Sequence, residues 1–343
     1  MVFHNKRNKK ELKTLVEQEN FNRTTISFYR YVNINDPISF RNFLYQNLNE
    51  LQVFGRIYIA TEGINAQISV PEFNLEKCKQ FIHSLPELNN IRLNIAVEEN
   101  RNSFWVLSCK VRPKIVADGI VDKEFNPQNT GNYVNAAEMN DLINNPQAVI
   151  VDMRNHYEYE VGHFKNAIEI PADTFKDQLK IAVEKLDQHK KQPVIMYCTG
   201  GIRCEKASSY LKHNGFEFVY HLEGGIINYV NQVKDQNLPC NFIGKNFVFD
   251  NRLGERVTPD IIATCHQCGK PCDNHINCAN EGCHLLFIQC SDCAQKFNNC
   301  CSEQCQSIIF QPPEIQYQLR KGKNLGQHIF NKSRQRMLNL KKS

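Results

Sequence analysis

The stretch Pro193-Val-Ile-Met-Tyr-Cys198-Thr-Gly-Gly-Ile-Arg-Cys204 decides how this chain folds. Pro193 to Tyr197 are apolar without alternation, as in a parallel strand buried on both faces. The cysteine closes that strand, Gly200 and Gly201 permit a tight curl, and a helix is predicted from Cys204 to Asn214, ending at Gly215. Two more strands of the same kind flank it, Ala148-Val-Ile-Val-Asp152 and Phe216 to Leu222. Between them Phe175, Leu179, Val183 and Leu186 recur at helical spacing. Residues 129–236 therefore read as an α/β domain with a parallel sheet. In such sheets ligands bind outside the carboxyl ends of the strands, which makes the cysteine loop the candidate site.

The loop's chemistry follows from its residue types. A glycine-rich turn at a helix N-terminus aims several backbone N–H groups at one point, a nest for an anion. Thr199, Gly200, Gly201 and Ile202 would form that cradle. The same field, with Arg203 beside it, favours the anionic form of Cys198 and makes it a thiolate nucleophile. A buried strand-end cysteine can be purely structural, but Gly-Gly and Arg beside it favour function. Cys204, in the first helical turn, is read as packing under the loop, with a resolving thiol as the other role open to it. Asp152, Arg154, Glu158 and His163 are read as structural, in turn hydrogen bonds and salt bridges.

Loop size discriminates further. Cysteine-dependent phosphatases place five residues between Cys and Arg, whereas four stand here. The narrower ring resembles the persulfide-holding loop of rhodaneses. Val151-Asp-Met-Arg154, Glu158 and Gly162-His-Phe-Lys-Asn-Ala-Ile-Glu-Ile-Pro171 resemble the first rhodanese motif. Leu222-Glu-Gly-Gly-Ile-Ile-Asn-Tyr229 resembles the last, with Tyr229 where that family more often has Trp.

Upstream, residues 24–116 show a different pattern. Thr25-Ile-Ser-Phe-Tyr-Arg-Tyr-Val32 is strand-like, and Asp36-Pro37 offers an N-cap and first-turn proline for a helix. Gly55-Arg-Ile-Tyr-Ile-Ala60 and Ile64-Asn-Ala-Gln-Ile-Ser-Val70 read as two strands joined at Thr61-Glu-Gly63. A helix over Leu75 to Leu85 and a strand over Ile91 to Val97 complete β-α-β-β-α-β, the order of a ferredoxin-like (acylphosphatase-like) split βαβ domain. Phe104 to Val111 would extend its sheet. Residues 1–23 form a basic extension and 117–128 a linker.

Downstream, residues 237–313 have little apolar periodicity, and ten of the fifteen cysteines lie between Cys265 and Cys305, so the segment needs a staple. Met1 to Lys13 is basic but lacks a signal peptide's apolar core, so the cysteines read as metal ligands and not disulfides. Two CxxC pairs about twenty residues apart are a zinc signal. Cys265, Cys268, Cys290 and Cys293 are allotted to one ion, and Cys278, Cys283, Cys301 and Cys305 to a second, interleaved one. Cys272 and Cys300 are then spare, with His266, His275 and His284 as substitutes. Protein fills every ligand position, so the expected role of the two Zn2+ ions is structural. Residues 314–343 form a basic tail: eight Lys or Arg and no Asp or Glu follow Glu314, which suits an anionic partner.

Composition sets the frame. The chain has 343 residues, 41% hydrophobic and 22% charged, with a net charge of +5, which excludes fibrous and disordered classes. No run reaches the roughly 18 apolar residues of a membrane span, so a cytoplasmic protein without a membrane role is expected. No dinucleotide fingerprint is present, so no nucleotide cofactor is recognised, and no two-His-one-carboxylate spacing of a non-haem iron site is recognisable.

Together, the Gly55 to Ser69 motif, the Cys198-Thr-Gly-Gly-Ile-Arg-Cys-Glu-Lys206 loop and the cysteine-rich end resemble the rhodanese-domain tRNA uridine hydroxylases, over about Thr24 to Pro313. The resemblance implies conversion of the tRNA wobble uridine to 5-hydroxyuridine, with molecular oxygen as co-substrate. It also implies Cys198 as the catalytic cysteine, carrying a persulfide intermediate. RNA binding is physically reasonable, because Lys and Arg neutralise phosphate and Tyr317 or Phe330 can stack on bases. Arg56, Glu62 and Asn65 either shape a substrate surface or order a hairpin. Two other function classes fit the residues: a sulfurtransferase moving sulfane sulfur from thiosulfate or a donor protein through Cys198 and Arg203, and a non-enzymatic scaffold. The intact cysteine argues against the scaffold.

Overall fold

The computed structural model describes residues 9–98, 103–122, 124–172 and 174–322. A short helix, α1 (Lys9–Glu17), leads into β1 (Arg23–Tyr31), α2 (Pro37–Glu50), β2 (Phe54–Ala60), β3 (Gly63–Pro71), α3 (Leu75–Ser84), β4 (Asn94–Ile95) and β5 (Leu107–Val111). The sheet order is β4-β1-β3-β2-β5; β5 extends the sheet as the sequence suggested, and does so parallel to β2. Asp36 caps α2 by accepting the Ile38 and Ser39 N–H groups at 3.0 Å each. Strand alternation sends Ile57, Ile59, Ile64, Ala66 and Ile68 to a core shared with Leu44 and Leu48 of α2 and Ile82 of α3. The other face, free of helices, presents Ser27, Tyr29, Arg56, Tyr58, Asn65 and Gln67. The strand expected over Ile91 to Val97 is shortened to Asn94–Ile95. The Asn94 side-chain amide donates to the Gly224 carbonyl at 3.4 Å, and beyond the strand the Val97 N–H donates to Glu255 at 3.1 Å.

The central domain comprises β6 (Asn132–Val134), α4 (Ala136–Ile143), β7 (Val149–Asp152), α5 (His156–Tyr159), β8 (Gly162–Phe164), β9 (Ile168–Glu169), α6 (Phe175–Lys185), β10 (Pro193–Tyr197), α7 (Ile202–His213), β11 (Phe218–Leu222) and α8 (Gly225–Asp235). Its sheet runs β6-β11-β10-β7-β9, every neighbouring pair parallel. Alternate residues of β7 and β10 feed two cores. Val149, Val151, Val194 and Met196 pack toward α6 and α7, and Ile150, Ile195 and Tyr197 toward α4 and α8. That is why the strands read as unbroken apolar runs.

The remaining chain forms β12 (Phe242–Asn246), β13 (Glu255–Arg256), β14 (His275–Asn277), β15 (Leu286–Ile288), α9 (Ser291–Lys296), α10 (Glu303–Ile309) and α11 (Pro313–Arg320). β12 pairs antiparallel with β8, so this segment is bound to the central domain by a strand ladder. The start of the basic tail is helical: α11 is anchored by an Arg320–Glu281 ion pair and by the Gln316 amide on the Ile309 carbonyl. The rest of the tail, with Phe330, and the first eight residues of the basic extension lie outside the described residues. No described helix is long and apolar enough to cross a membrane.

Candidate active site and metal clusters

The loop from Cys198 to Ile202 joins β10 to α7 and places Cys198 at the carboxyl edge of the sheet. Gly201 has φ +101°, a conformation that L side chains rarely adopt, and its N–H donates to the Cys198 sulfur at 3.2 Å. A Cβ at Gly225, where α8 begins, would sit 2.5 Å from the Cys198 carbonyl oxygen, so only glycine lets α8 support the loop from below. The Ile226 and Ile227 N–H groups then bond the Cys198 and Thr199 carbonyls at 3.0 and 3.2 Å.

Burial would push the Cys198 thiol up, but the Cys204 thiol, the Arg203 guanidinium and the backbone N–H groups of Cys204 and Arg203 outweigh it. The result is a thiol brought down to about 6. Cys204, fully buried under the loop, is held well above the ordinary thiol range by burial and by its bond to Cys198. It stays protonated and serves as a donor to the thiolate.

Arg203 does not stand free beside Cys198. It makes a two-pronged ion pair with the buried Glu158, both N–O distances 2.8 Å. Glu158 also accepts from the Thr199 hydroxyl at 3.1 Å and the Asn155 N–H at 3.0 Å. Burial alone would raise its carboxyl, and Arg203 reverses that and holds it below the usual range. Glu158 thus fixes the loop's cation as well as capping α5. The Asn155-x-x-Glu158 capping box was the signal in the sequence, and it points to a helix end and not to the loop. Asp152 and Arg154 pair at 2.7 Å, both fully buried beneath the sheet, and His163 bonds the Tyr159 carbonyl, so these three hold the fold.

Cys198 is only 1% exposed, yet it borders a cavity of about 480 Å³. The cavity is walled by the loop residues Thr199, Gly200, Ile202 and Arg203, by the open face of the first domain's sheet, and by Val248 to Asp250 and Arg252. Arg56 and Asn65 lie on that wall, whereas Glu62 turns to Lys206 at 2.8 Å and to the Ile115 N–H at 2.8 Å. Sequence reading missed Ser27, Tyr58 and Gln67 here; only their position on the helix-free face of an alternating strand hinted at them.

The loop's continuation docks the first domain. Tyr29 donates to Glu205 at 2.8 Å, Tyr31 to the Ile202 carbonyl at 3.2 Å, and the buried Lys206 bridges Glu62 and Asp118 at 2.8 and 2.5 Å.

Two groups of four cysteines could each hold a metal ion: Cys265, Cys268, Cys290 and Cys293, and Cys278, Cys283, Cys301 and Cys305. Within each, the sulfurs lie inside 4.8 Å of one another. The Cys268–Cys290, Cys283–Cys301 and Cys301–Cys305 sulfur pairs are 3.6, 3.7 and 3.7 Å apart. A tetrahedron with Zn–S bonds of about 2.3 Å needs sulfurs about 3.8 Å apart, so the donor set and its spacing fit zinc. The Cys290 N–H points to the Cys265 sulfur and the Cys301 N–H to the Cys278 sulfur, each at 3.4 Å, as suits thiolate ligands. Cys272, Cys300 and the three histidines stay outside both groups.

A parallel α/β domain with a thiolate loop, covered by a ferredoxin-like sheet and carrying a cysteine-rich end, defines a multidomain protein of the rhodanese type. Family models agree segment by segment: an UPF0176 acylphosphatase-like domain over residues 23–115, a rhodanese-like domain over 135–232 and a rhodanese C-terminal segment over 243–306. The chain is 58% identical to a tRNA uridine(34) hydroxylase of Escherichia fergusonii, over 98% of this chain and 96% of that one. Proteins of the same name from Photorhabdus laumondii and Erwinia tasmaniensis are each 57% identical, over 98% and 97% of this chain and 96% and 95% of theirs. The chain belongs to the tRNA uridine(34) hydroxylase family.

Proposed function

We propose that this protein hydroxylates C5 of the wobble uridine of tRNA, with Cys198 as its catalytic cysteine and Arg203 holding the loop's positive field. The observation that carries the reading is a thiol brought down to about 6 at the floor of a three-walled cavity of about 480 Å³. That volume lies within the roughly 300–1,000 Å³ of small-molecule sites and suits one extruded nucleotide. The reaction places one atom of O2 on C5; the other leaves as water, with two electrons and two protons from a thiol-class reductant. The backbone cradle of Thr199 to Ile202 holds the anionic sulfur species, and the cavity's open side leaves room for a nucleotide to enter. A persulfide on Cys198 is an anion of the same kind, and a sulfur-donor protein would supply it. The two cysteine clusters take one Zn2+ each and stabilise the end of the chain. A tRNA substrate places the protein in the cytoplasm. A plain sulfurtransferase would use the same loop but would leave the first domain's polar wall without a role.

The test is nucleoside analysis of tRNA from a deletion strain. Loss of 5-hydroxyuridine-derived wobble nucleosides, restored by the wild-type chain and not by Cys198→Ala, is the expected result. Loss of thiolated nucleosides instead would favour the sulfurtransferase, and an unchanged profile would remove both enzymes.

A further inference from the structure

The cavity wall opposite Cys198 carries polar groups, not all of which the fold itself uses. Register places them in two cross-strand rows on the open face of the first domain's sheet. One row is Tyr29–Asn65–Tyr58, and the other Ser27–Gln67–Arg56. All six line the cavity. Outward-facing residues two apart on a strand are separated by ~7 Å, so the rows span a surface about the size of a pyrimidine ring with its sugar.

Three features suggest what this wall is for. First, the Ser27 hydroxyl is buried with no hydrogen-bond partner among the described residues, and the half-buried Asn65 and Gln67 beside it present their amides on the same cavity wall. Buried polar groups usually find partners, so an unpartnered hydroxyl flanked by two amides on a cavity wall points to a polar ligand. Second, Asn65 lies in register between Tyr29 and Tyr58, aromatic side chains of the kind on which bases stack. Third, three guanidiniums line the cavity. Arg203 is paired with Glu158 and Arg252 with Asp250 and Glu255, whereas Arg56 has no carboxylate partner among the described residues. Arg56 is also exposed, and Lys110 stands beside Tyr58 in the register. Positive charge thus lies at the cavity's rim.

We infer that this wall is the base-reading surface of the enzyme: Asn65 and Gln67 recognise the uracil edge, and Arg56 holds the target nucleotide's phosphate. The inference rests on the proposed function. A carboxamide is complementary to uracil because its C=O accepts from N3–H while its NH2 donates to an adjacent ring carbonyl. Fixed two residues apart on the central strand β3, these amides set which edge of the ring turns toward Cys198, and thereby present C5. They are specificity-determining residues; Arg56 contributes affinity without base preference.

The test uses synthetic anticodon stem-loop RNAs with uridine, cytidine or an abasic site at the first anticodon position. Binding is measured with the full chain carrying Cys198→Ala, so that no turnover occurs. The expected parent result is tighter binding of the uridine RNA than of the other two. Adding Asn65→Ala and Gln67→Ala should erase most of that preference, by about tenfold for the lost hydrogen bonds. Adding Arg56→Ala should weaken all three RNAs alike and reduce the salt slope by about 0.7–0.9, one phosphate contact. Asn65→Ser, which keeps a short polar group, controls for folding by circular dichroism. An unchanged uridine preference in the folded double variant overturns the inference. So does a parent without base preference whose wild-type chain still hydroxylates tRNA, a result that leaves the proposed function standing. Absence of hydroxylation on every tRNA by the wild-type chain would instead remove the proposed function.

Discussion

A thiol at about 6 has a consequence that depends strongly on the pH at which it is examined. At pH 7 such a thiol is about 90% thiolate, against about 3% for a free cysteine near 8.5, a gain of about thirtyfold. Nucleophilicity falls with pKa with a slope of about 0.4–0.5, so a drop of about 2.5 removes roughly ten- to eighteenfold. The net advantage at neutral pH is only about two- to threefold. At pH 6 the thiolate ratio widens to about 160, and the net advantage to about tenfold. The decisive quantity is therefore the midpoint of the rate–pH profile. Iodoacetamide labelling of the Cys198 peptide, followed by mass spectrometry between pH 4.5 and 9, should rise with a midpoint at about 6 and level off above it. Cys204→Ala removes the strongest of the contributions that lower the thiol, so its midpoint should move upward. A wild-type midpoint near 8.5, or one unmoved in Cys204→Ala, would refute the thiolate argument.

The remaining predictions concern other parts of the molecule. Glu158→Gln leaves the largely enclosed Arg203 without its charged partner, so urea unfolding should show a loss of about 3 kcal/mol, and catalysis should fall with it. Elemental analysis should find two zinc ions per chain; Cys265→Ser should lose one and Cys278→Ser the other, each with earlier thermal unfolding of the C-terminal segment. Lys206→Met removes the cation from two carboxylates, and limited proteolysis should then cut more readily between residues 112 and 131. Deleting residues 321–343 should weaken tRNA binding and flatten its salt dependence by about 0.7–0.9 per lost phosphate contact, while the choice among tRNAs persists.

Much of this protein was legible in the chain because its signals are local. β10 and its loop are contiguous, so strand, cysteine, glycines and arginine could be read together as one unit. The metal groups were legible for the same reason: CxxC spacing is a short-range rule, and interleaved pairs leave few ways to close two tetrahedra. The strands over Gly55 to Ala60 and Ile64 to Val70 were likewise legible, because each is a contiguous run joined by a short turn. What tertiary structure decided is where distant segments meet. Glu158 lies 45 residues before Arg203, and its capping-box position concealed that its carboxylate also fixes the loop. Asn65, Gln67 and Ser27 stand more than a hundred residues from Cys198, and only docking through Tyr29, Glu205 and Lys206 turns a bare sheet face into a cavity wall. Local pattern encodes the reactive sulfur, because its field comes from its own loop. The pocket around it arises from packing between domains, which no periodicity records.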